Sequence, residues 1–397
     1  MDYDIAIIGG GPAGIMAAIA SGETSNVILL EKNPALGKKL LLTGGGRCNI
    51  TNNKPPKKLL TFFDEKNFLK HSFFTFTNED LFDLFDFEFK TEDNDRVFPE
   101  SEKSIDVLKG LEKHLENVEV RLNYEVKKIS GNFIINDEIH ADKVIIATGG
   151  VTYPQTGCNI DNYSLTNQPL TKIKYGLSPL ITKEDLSNIA GVTLNDIECI
   201  YKKSKVRGDV LISHVGLTGP GIIDLSSIIS KDIDYDILYE DSDLSCEIAV
   251  DLIPDSSREE LKSKFDKDFQ EKGKTQIKNY LKHLLSNNFI NYFLNRINIA
   301  SDTQLSRINK KEKNRLIENL KRFTFEIIDF NRVLAKVTIG GIDIKNINPK
   351  TMESKLTPNL YFAGETLDLD GPTGGYNLKI AFSTGYLAGL SASEKIH

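Results

Sequence analysis

An α/β fold built on a parallel sheet and broken by a long insertion is predicted by three observations. The chain opens on an apolar strand that runs into a glycine turn and a small-residue helix, "YDIAIIGGGPAGIMAAIAS". Strand-to-glycine transitions recur far downstream, in "DKVIIATGG" (142–150) and "NLYFAGE" (359–365). Between these, from about 166 to 335, the text changes to short β-like runs and then to polar helical ones. Strands that alternate with helices make parallel sheets, and a block of different texture inside such a pattern reads as an inserted unit. The 397 residues exceed one compact core, so two or three folding units are expected.

Composition removes several function classes. A chain 40% hydrophobic and 26% charged is an ordinary globular one, and its net charge of −7 excludes a protein that is basic all over. Cys48, Cys158, Cys199 and Cys246 form no CxxC pair, which suits a reducing compartment and gives no zinc pattern. The N-terminus enters a strand with no basic leader, and no apolar run reaches the ~18–20 residues of a membrane span. A cytoplasmic protein with no metal and no membrane partner is expected.

The first element pair carries the strongest motif. Gly9, Gly11 and Gly14 fit G-x-G-x-x-G: a tight turn, a close approach for a pyrophosphate, and close helix–strand packing. Pro12 and Ala13 open the helix, whose N-terminal N–H groups and partial positive charge face the diphosphate. The second strand, "NVILLE", ends on Glu31, at the distance where a carboxylate takes ribose hydroxyls. NAD and FAD share this fingerprint, so other segments must decide. The turn Ala147-Thr148-Gly149-Gly150 is typical of flavoproteins of the glutathione-reductase type. Near the C-terminus, Gly364-Glu365 follows a strand, and Gly374-Gly375 opens a helix at Tyr376, Asn377 and Leu378. In that superfamily such a carboxylate binds the ribitol chain, and the helix N-terminus lies by the pyrimidine edge of the flavin, where its dipole favours negative charge. The expected fold is therefore a Rossmann-like FAD-binding domain of the glutathione-reductase type, assembled from both chain ends, with an inserted β-rich subdomain carrying a helical lobe. FAD is the expected cofactor.

The segment "LLLTGGGRCNITNN" (40–53) leaves the Glu31 strand over the nucleotide and should run beneath the isoalloxazine ring. Gly44, Gly45 and Gly46 permit close approach, and Arg47 and Asn49 offer donors. Arg47 reads equally as a pyrophosphate contact or structural ion pair. Cys48 reads as a reactive thiol or as a small buried hydrophobe.

In the insertion, "GLSPLITKEDL", "GVTLNDIECIYKK", "GDVLISHVGLTGPGIIDLSS" and "CEIAVDLIP" read as short strands, and 255–323 as helices. The expected organisation is 1–165 with 336–397 for FAD, 166–254 with 324–335 for the β-rich domain, and 255–323 for a basic helical subdomain. Residues 256–323 carry 16 Lys+Arg against 8 Asp+Glu, net +8, and the remainder 33 against 48, net −15, which recovers −7. Such asymmetry reads as a phosphate-contacting surface or as solvated helix faces.

The motifs "GGGPAG", "GKKLLLTGGGRCNITN", "RVFPES", "ATGG", "YPQTG", "HVGLTGPG", "VTIGGI", "TMESK" and "FAGETLDLDGPTGGYNLKIA" span nearly the whole chain. On them the chain resembles the BaiN/RdsA (YhiN-like) flavoproteins, also labelled aminoacetone-oxidase-family FAD-binding enzymes. It departs from the pattern after "YPQTG", where "CNIDNY" replaces Ser-Thr-Gly-Asp-Gly-Tyr, and in lacking a following Gly-His pair. The resemblance adds Lys32, Lys39, Val126 and Leu378 to the implied cofactor contacts. It implies an oxidoreductase that reduces activated C=C bonds, either uridine in 23S ribosomal RNA to dihydrouridine or a steroid-like enone. In both, hydride goes to the β-carbon, donors stabilise the enolate and an acid protonates the α-carbon.

His214, in a glycine-rich loop of the insertion, is the first candidate for acid or carbonyl donor, against a structurally satisfied histidine. Arg47 is the candidate enolate-stabilising cation. No second Rossmann fingerprint is present: "HVGLTGPG" lacks the strand–helix frame and "TIGGID" the spacing. NAD(P)H is therefore expected as a transient reductant at the flavin, unless an external carrier reduces it. The basic lobe favours ribosomal RNA as partner over a free steroid. An amine oxidase and a flavin-binding ribosome assembly factor without turnover stay open.

Overall fold

The computed structural model describes residues 2–237 and 244–393. The chain divides into two units: Met1–Lys174 with Asp236–Leu238 and Lys336–His397, and Tyr175–Tyr235 with Tyr239–Ala335.

In the first unit β1 (Asp2–Ile8), α1 (Pro12–Ser21), β2 (Val27–Leu30), β3 (Val118–Arg121), β4 (Ile139–Ile146), β5 (Leu360–Phe362) and α2 (Tyr376–Ser393) frame the site. The five strands are parallel in the order β3-β2-β1-β4-β5. All four residues of β2 and the last four of β1 are buried, as both faces of a parallel sheet require. The register aligns Arg121, Leu30, Ile8, Ile146 and Phe362 in one row across the sheet. The segments that follow the five strands therefore emerge along one edge. Strand order reverses between β1 and β4, which is where open α/β sheets bind ligands.

The two ends of the chain meet through small residues. A Cβ on Gly385 or Gly389 of α2 would lie 2.2 Å from the carbonyl oxygens of Ala13 and Ala17 on α1. Glycine at this four-residue spacing lets the two helix backbones touch. The C-terminal helix is thereby fixed to the helix that follows the first glycine turn.

The second unit is a closed antiparallel barrel of six strands in the order Leu180–Thr182, Gly216–Thr218, Ser204–Ile212, Thr193–Tyr201, Cys246–Asp251 and Phe323–Phe330, closing back on the first. Its helices include Arg258–Glu271, Asn287–Arg296 and Lys310–Lys321, and capping boxes Ser257/Glu260 and Asn309/Glu312 start two of them. One reading is corrected. "GPGIIDLSS" is not a strand: after Gly216–Thr218 comes Gly219 at φ +96°, then a helix over Pro220–Asp232. Pro at the first helical position starts that helix, despite its β-branched residues, and Ser226 Oγ donates to Ile223 O within it. "HVGLTGPG" thus does sit on a strand–turn–helix, but within an antiparallel barrel. Its glycines serve close packing, since a Cβ on Gly216 would lie 2.0 Å from the Leu180 carbonyl oxygen.

Candidate active site

Along the carboxyl edge of the parallel sheet the glycine turn comes first. Gly9 at φ +106° makes the bend, and a Cβ there would strike the Ala147 carbonyl. A Cβ on Gly14 would strike the Gly9 carbonyl at 1.8 Å, so α1 starts tight against the turn. At Gly11, by contrast, nothing lies within 4 Å of the Cβ position. Gly11 and Pro12 lead into α1 with no side-chain cap on its N-terminal N–H groups. This is the cradle of an anion at a helix N-terminus. Glu31, buried at the end of β2, accepts from Gly10 N at 2.7 Å and from Asn33 N at 2.8 Å. Lys32 is half-buried beside Gly157. The chain after β3 runs alongside, with Tyr124 N donating to Glu31 O, and carries half-buried Val126.

The segment 40–53 is pinned to the first turn, because Gly37 N donates to Gly10 O at 2.8 Å. Gly44, Gly45 and Gly46 all take positive φ, and nothing lies within 4 Å of a Cβ at Gly45. Arg47 pairs with Glu92 and, at 2.9 Å, with Glu102, and lies 4.1 Å over the Phe98 ring. Lys90 pairs with the same two carboxylates and Arg96 with Glu92, so Arg47 belongs to an ion-pair network and its geometry is that of a structural pair. Its Nε is buried without a partner. Cys48 is fully buried, and burial pushes its thiol up to about 12, so it lacks the thiolate character a nucleophile needs. The Asn49 amide, in the orientation that satisfies it, donates to Val97 O and Thr51 O and accepts from Gly375 N at 3.0 Å. Asn49 therefore ties this segment to the start of α2.

Residues 147–150 and 363–366 close the edge. Gly149 N donates to Thr366 Oγ1 at 3.0 Å, and Val151 N to Thr338 Oγ1 at 2.8 Å. Glu365 accepts from Thr338 N at 2.7 Å and from Lys39. Burial opposes the Lys39 charge, but Glu365 more than offsets this and its pKa is raised. Lys39 also donates to Thr152 Oγ1 at 2.8 Å. Ahead of α2 the turn runs through Gly374 and Gly375, both at positive φ, and Lys379 N makes an early intrahelical bond to Gly375 O. Asn377 braces that turn: it accepts from Gly371 N at 2.9 Å and donates to Gly371 O at 2.8 Å. Tyr376 packs under Phe62 and Phe63, and Leu378 is half-buried against the core.

Two buried hydroxyls of this unit are not singled out together by sequence reading. The Thr148 hydroxyl and the Tyr163 hydroxyl are both buried with no hydrogen-bond partner. Burial, then Glu365, Cys158 and Asp368, raise the Tyr163 pKa. Buried hydroxyls without partners are rare and ask for a polar ligand atom or water. In the sequence Tyr163 stands as the last residue of "CNIDNY" and has no role assigned, because its burial depends on folding. The open positions at Gly11 and Gly45 and these orphaned hydroxyls fit a dinucleotide flavin. FAD bound there supplies a hydride.

In the second unit His214 is exposed, at the tip of the hairpin joining Ser204–Ile212 to Gly216–Thr218. Ser213 N donates to Gly216 O at 2.8 Å to close that tip, and the imidazole has no hydrogen bond or ion pair among the described residues. No group of three or more His, Cys, Asp or Glu among the described residues could hold a metal, and no described helix is long and apolar enough to cross a membrane.

Fold and site define the class: an FAD-dependent oxidoreductase with a Rossmann-type nucleotide domain. The HI0933-like protein Rossmann domain family matches residues 3–391, and the chain belongs to that family. It is 29% identical to the 3-dehydro-bile acid Δ(4,6)-reductase of Clostridium scindens, over 98% of this chain and 99% of that one. It is 26% identical to the ribosomal RNA dihydrouridine synthase of Escherichia coli, over 97% of this chain and 96% of that one. Among solved structures, the 3-ketosteroid-Δ4-(5α)-dehydrogenase of Rhodococcus jostii matches at a TM-score of 0.47 and 13% identity, over 99% of this chain and 97% of that one.

Proposed function

We propose that this chain reduces a C=C bond conjugated to a carbonyl, that its substrate is a uridine of 23S ribosomal RNA, and that NAD(P)H is the transient reductant. Both curated relatives are named for saturating such a bond, one in a 3-dehydro bile acid and one in uridine. The observation that carries the RNA reading is uncompensated charge. Of the 16 Lys and Arg in 256–323, Lys262, Lys264, Lys267, Lys274, Lys278, Lys282, Arg307, Lys310 and Lys311 make no ion pair among the described residues. Phosphates are what such a surface attracts, and a bile acid, with a single carboxylate, engages little of it. A uridine in folded RNA has to be unstacked to reach the cofactor edge.

His214 is the proposed proton donor: it is exposed and makes no hydrogen bond or ion pair among the described residues. His214→Ala should keep wild-type FAD content and lose on the order of 10²-fold in turnover; undiminished turnover would remove the assignment. Nucleoside mass spectrometry of 23S rRNA, with and without the gene, tests the whole reading. Loss of one uridine-plus-two-hydrogens species in the deletion supports it. Unchanged rRNA transfers the reading to a small enone of the kind the bile acid reductase is named for.

A further inference from the structure

We infer that a groove at one end of the barrel in the second unit is a docking site for single-stranded RNA, taking one nucleobase in the groove and the adjoining phosphates on lysines at its lip. The inference rests on the RNA reading above and locates the contact. The groove has a volume of about 340 Å³, within the range of small-ligand sites. Its floor is apolar, formed by Leu194, Ile197, Leu252 and Leu285, and Lys282 and His283 stand at its edge. A bulge opens it: the pairing of Thr193–Tyr201 with Ser204–Ile212 slips between Leu194 and Ile197, and Asp196 takes φ +50°. Bulges re-aim a strand where ladder pairing would otherwise continue.

The charged side chain in the groove lining is Lys282, beside His283. Lys264 and Lys272 lie four residues either side of Asp268 on one helix and its cap, Asp268 accepts from Tyr280, and the His283 ring packs on Tyr280; both lysines join burial in lowering the His283 pKa. Lys264 and Lys282 have no ion pair among the described residues. The nearby carboxylates are already engaged. Asp268 accepts from the Tyr280 hydroxyl at 2.6 Å and from Lys272 at 3.1 Å. Asp196, in the bulge, accepts from two Arg207 nitrogens at 2.7 Å each, and Asp255 shares the same guanidinium. The His283 ring packs edge-on against Tyr280, with centroids 4.8 Å apart. An apolar slot, an imidazole and unpaired lysines are the elements that hold a splayed-out base and its phosphates. A second basic cluster, Lys262, Lys310 and Lys313, surrounds Asp266 instead. Lys262 and Lys264, two residues apart on one helix, point to different faces. The groove side and the far side can therefore be tested separately.

The probe is a fluorescein-labelled 12-residue oligouridylate, titrated with the FAD-loaded full chain between 50 and 300 mM KCl and read by anisotropy. Lys264→Glu with Lys282→Glu should weaken binding about tenfold at 100 mM and lower the salt slope by about 1.4, from two phosphate contacts at ~0.7 each. His283→Ala should weaken it about fivefold without changing the slope, since stacking carries no counterion term. Lys262→Glu with Lys310→Glu should change affinity less than about threefold. Equal losses from the two double variants would mean diffuse attraction and overturn the groove, as would a groove double variant that binds like wild type. The same variants are then returned to deletion cells. If dihydrouridine is lost in the deletion and restored equally by wild type and both double variants, the RNA reading stands and the groove is wrong. If the deletion leaves rRNA unchanged and wild type binds no oligouridylate, both fall.

Discussion

Lys379 sits in the fourth position of α2, fully buried, between the rings of Phe73 and Phe76 at 5.7 and 5.4 Å. Its Nζ donates to Phe76 O at 2.7 Å, and the carboxylate acting on it is Asp80, already engaged by Thr77. Burial lowers its pKa from 10.5 to about 7, against the opposing charge of Asp80. That difference corresponds to about 5 kcal/mol of penalty on the charged form. Lys379→Met keeps the length of the side chain and removes the charge. It also removes the stronger donor to Phe76 O, at a cost of about 1 kcal/mol, although Ser383 Oγ still donates there at 3.3 Å. The variant should therefore be more stable than wild type at pH 6, by about 2–4 kcal/mol. The pH dependence carries the sharper test. Below about pH 7 both states of the wild type hold the proton and the penalty is complete. Between about 7 and 10.5 the unfolded chain holds a proton that the folded one has released, so wild-type stability rises with pH. The advantage of the variant should shrink by about 1.4 kcal/mol per pH unit above 7. Urea unfolding of both holoproteins at pH 6, 7, 8 and 9 measures it. A stability difference that stays constant over that range would refute the reasoning.

Other outcomes follow from the site. Tyr163→Phe removes a buried hydroxyl that has no partner in the protein. It should raise the melting temperature of the FAD-free protein while weakening FAD binding about tenfold, and equilibrium fluorescence quenching with FAD reads the second effect. Tighter FAD binding in the variant would assign that hydroxyl to water. Gly385→Ala forces a methyl to 2.2 Å from the Ala13 carbonyl oxygen, so α1 and α2 must separate. It should cost about 1–3 kcal/mol in urea unfolding and reduce the FAD that copurifies, because Ala13 belongs to the first turn at the pyrophosphate cradle.

What was legible in the sequence is what local chemistry dictates. Gly9, Gly11 and Gly14 occur, after a strand and before a small-residue helix, at the spacing a nucleotide-binding strand–turn–helix uses, and each finds its expected packing or open space. The transitions at Ala147 and Gly364 follow strands, so their place on the carboxyl edge follows from parallel pairing. The basic stretch is a matter of counting. Other roles required the assembled chain. Arg47 and Asn49 read as donors to a ligand, yet Glu92, Glu102 and Gly375, up to 326 positions from Asn49, engage them. The helix at Pro220 is set by a glycine turn and barrel packing, which outweigh the β-branched text. Tyr163 and Lys379 matter only through burial, which no single stretch of text encodes.

The sequence by itself determined the class of nucleotide fold, the cofactor edge and the uneven charge, because glycine spacing, strand hydrophobicity and residue counts are properties of short stretches. Tertiary structure decided which polar groups are left without partners and which are neutralised. Those outcomes depend on contacts between residues far apart in the chain, as when Gly385 brings the last helix onto Ala13 of the first.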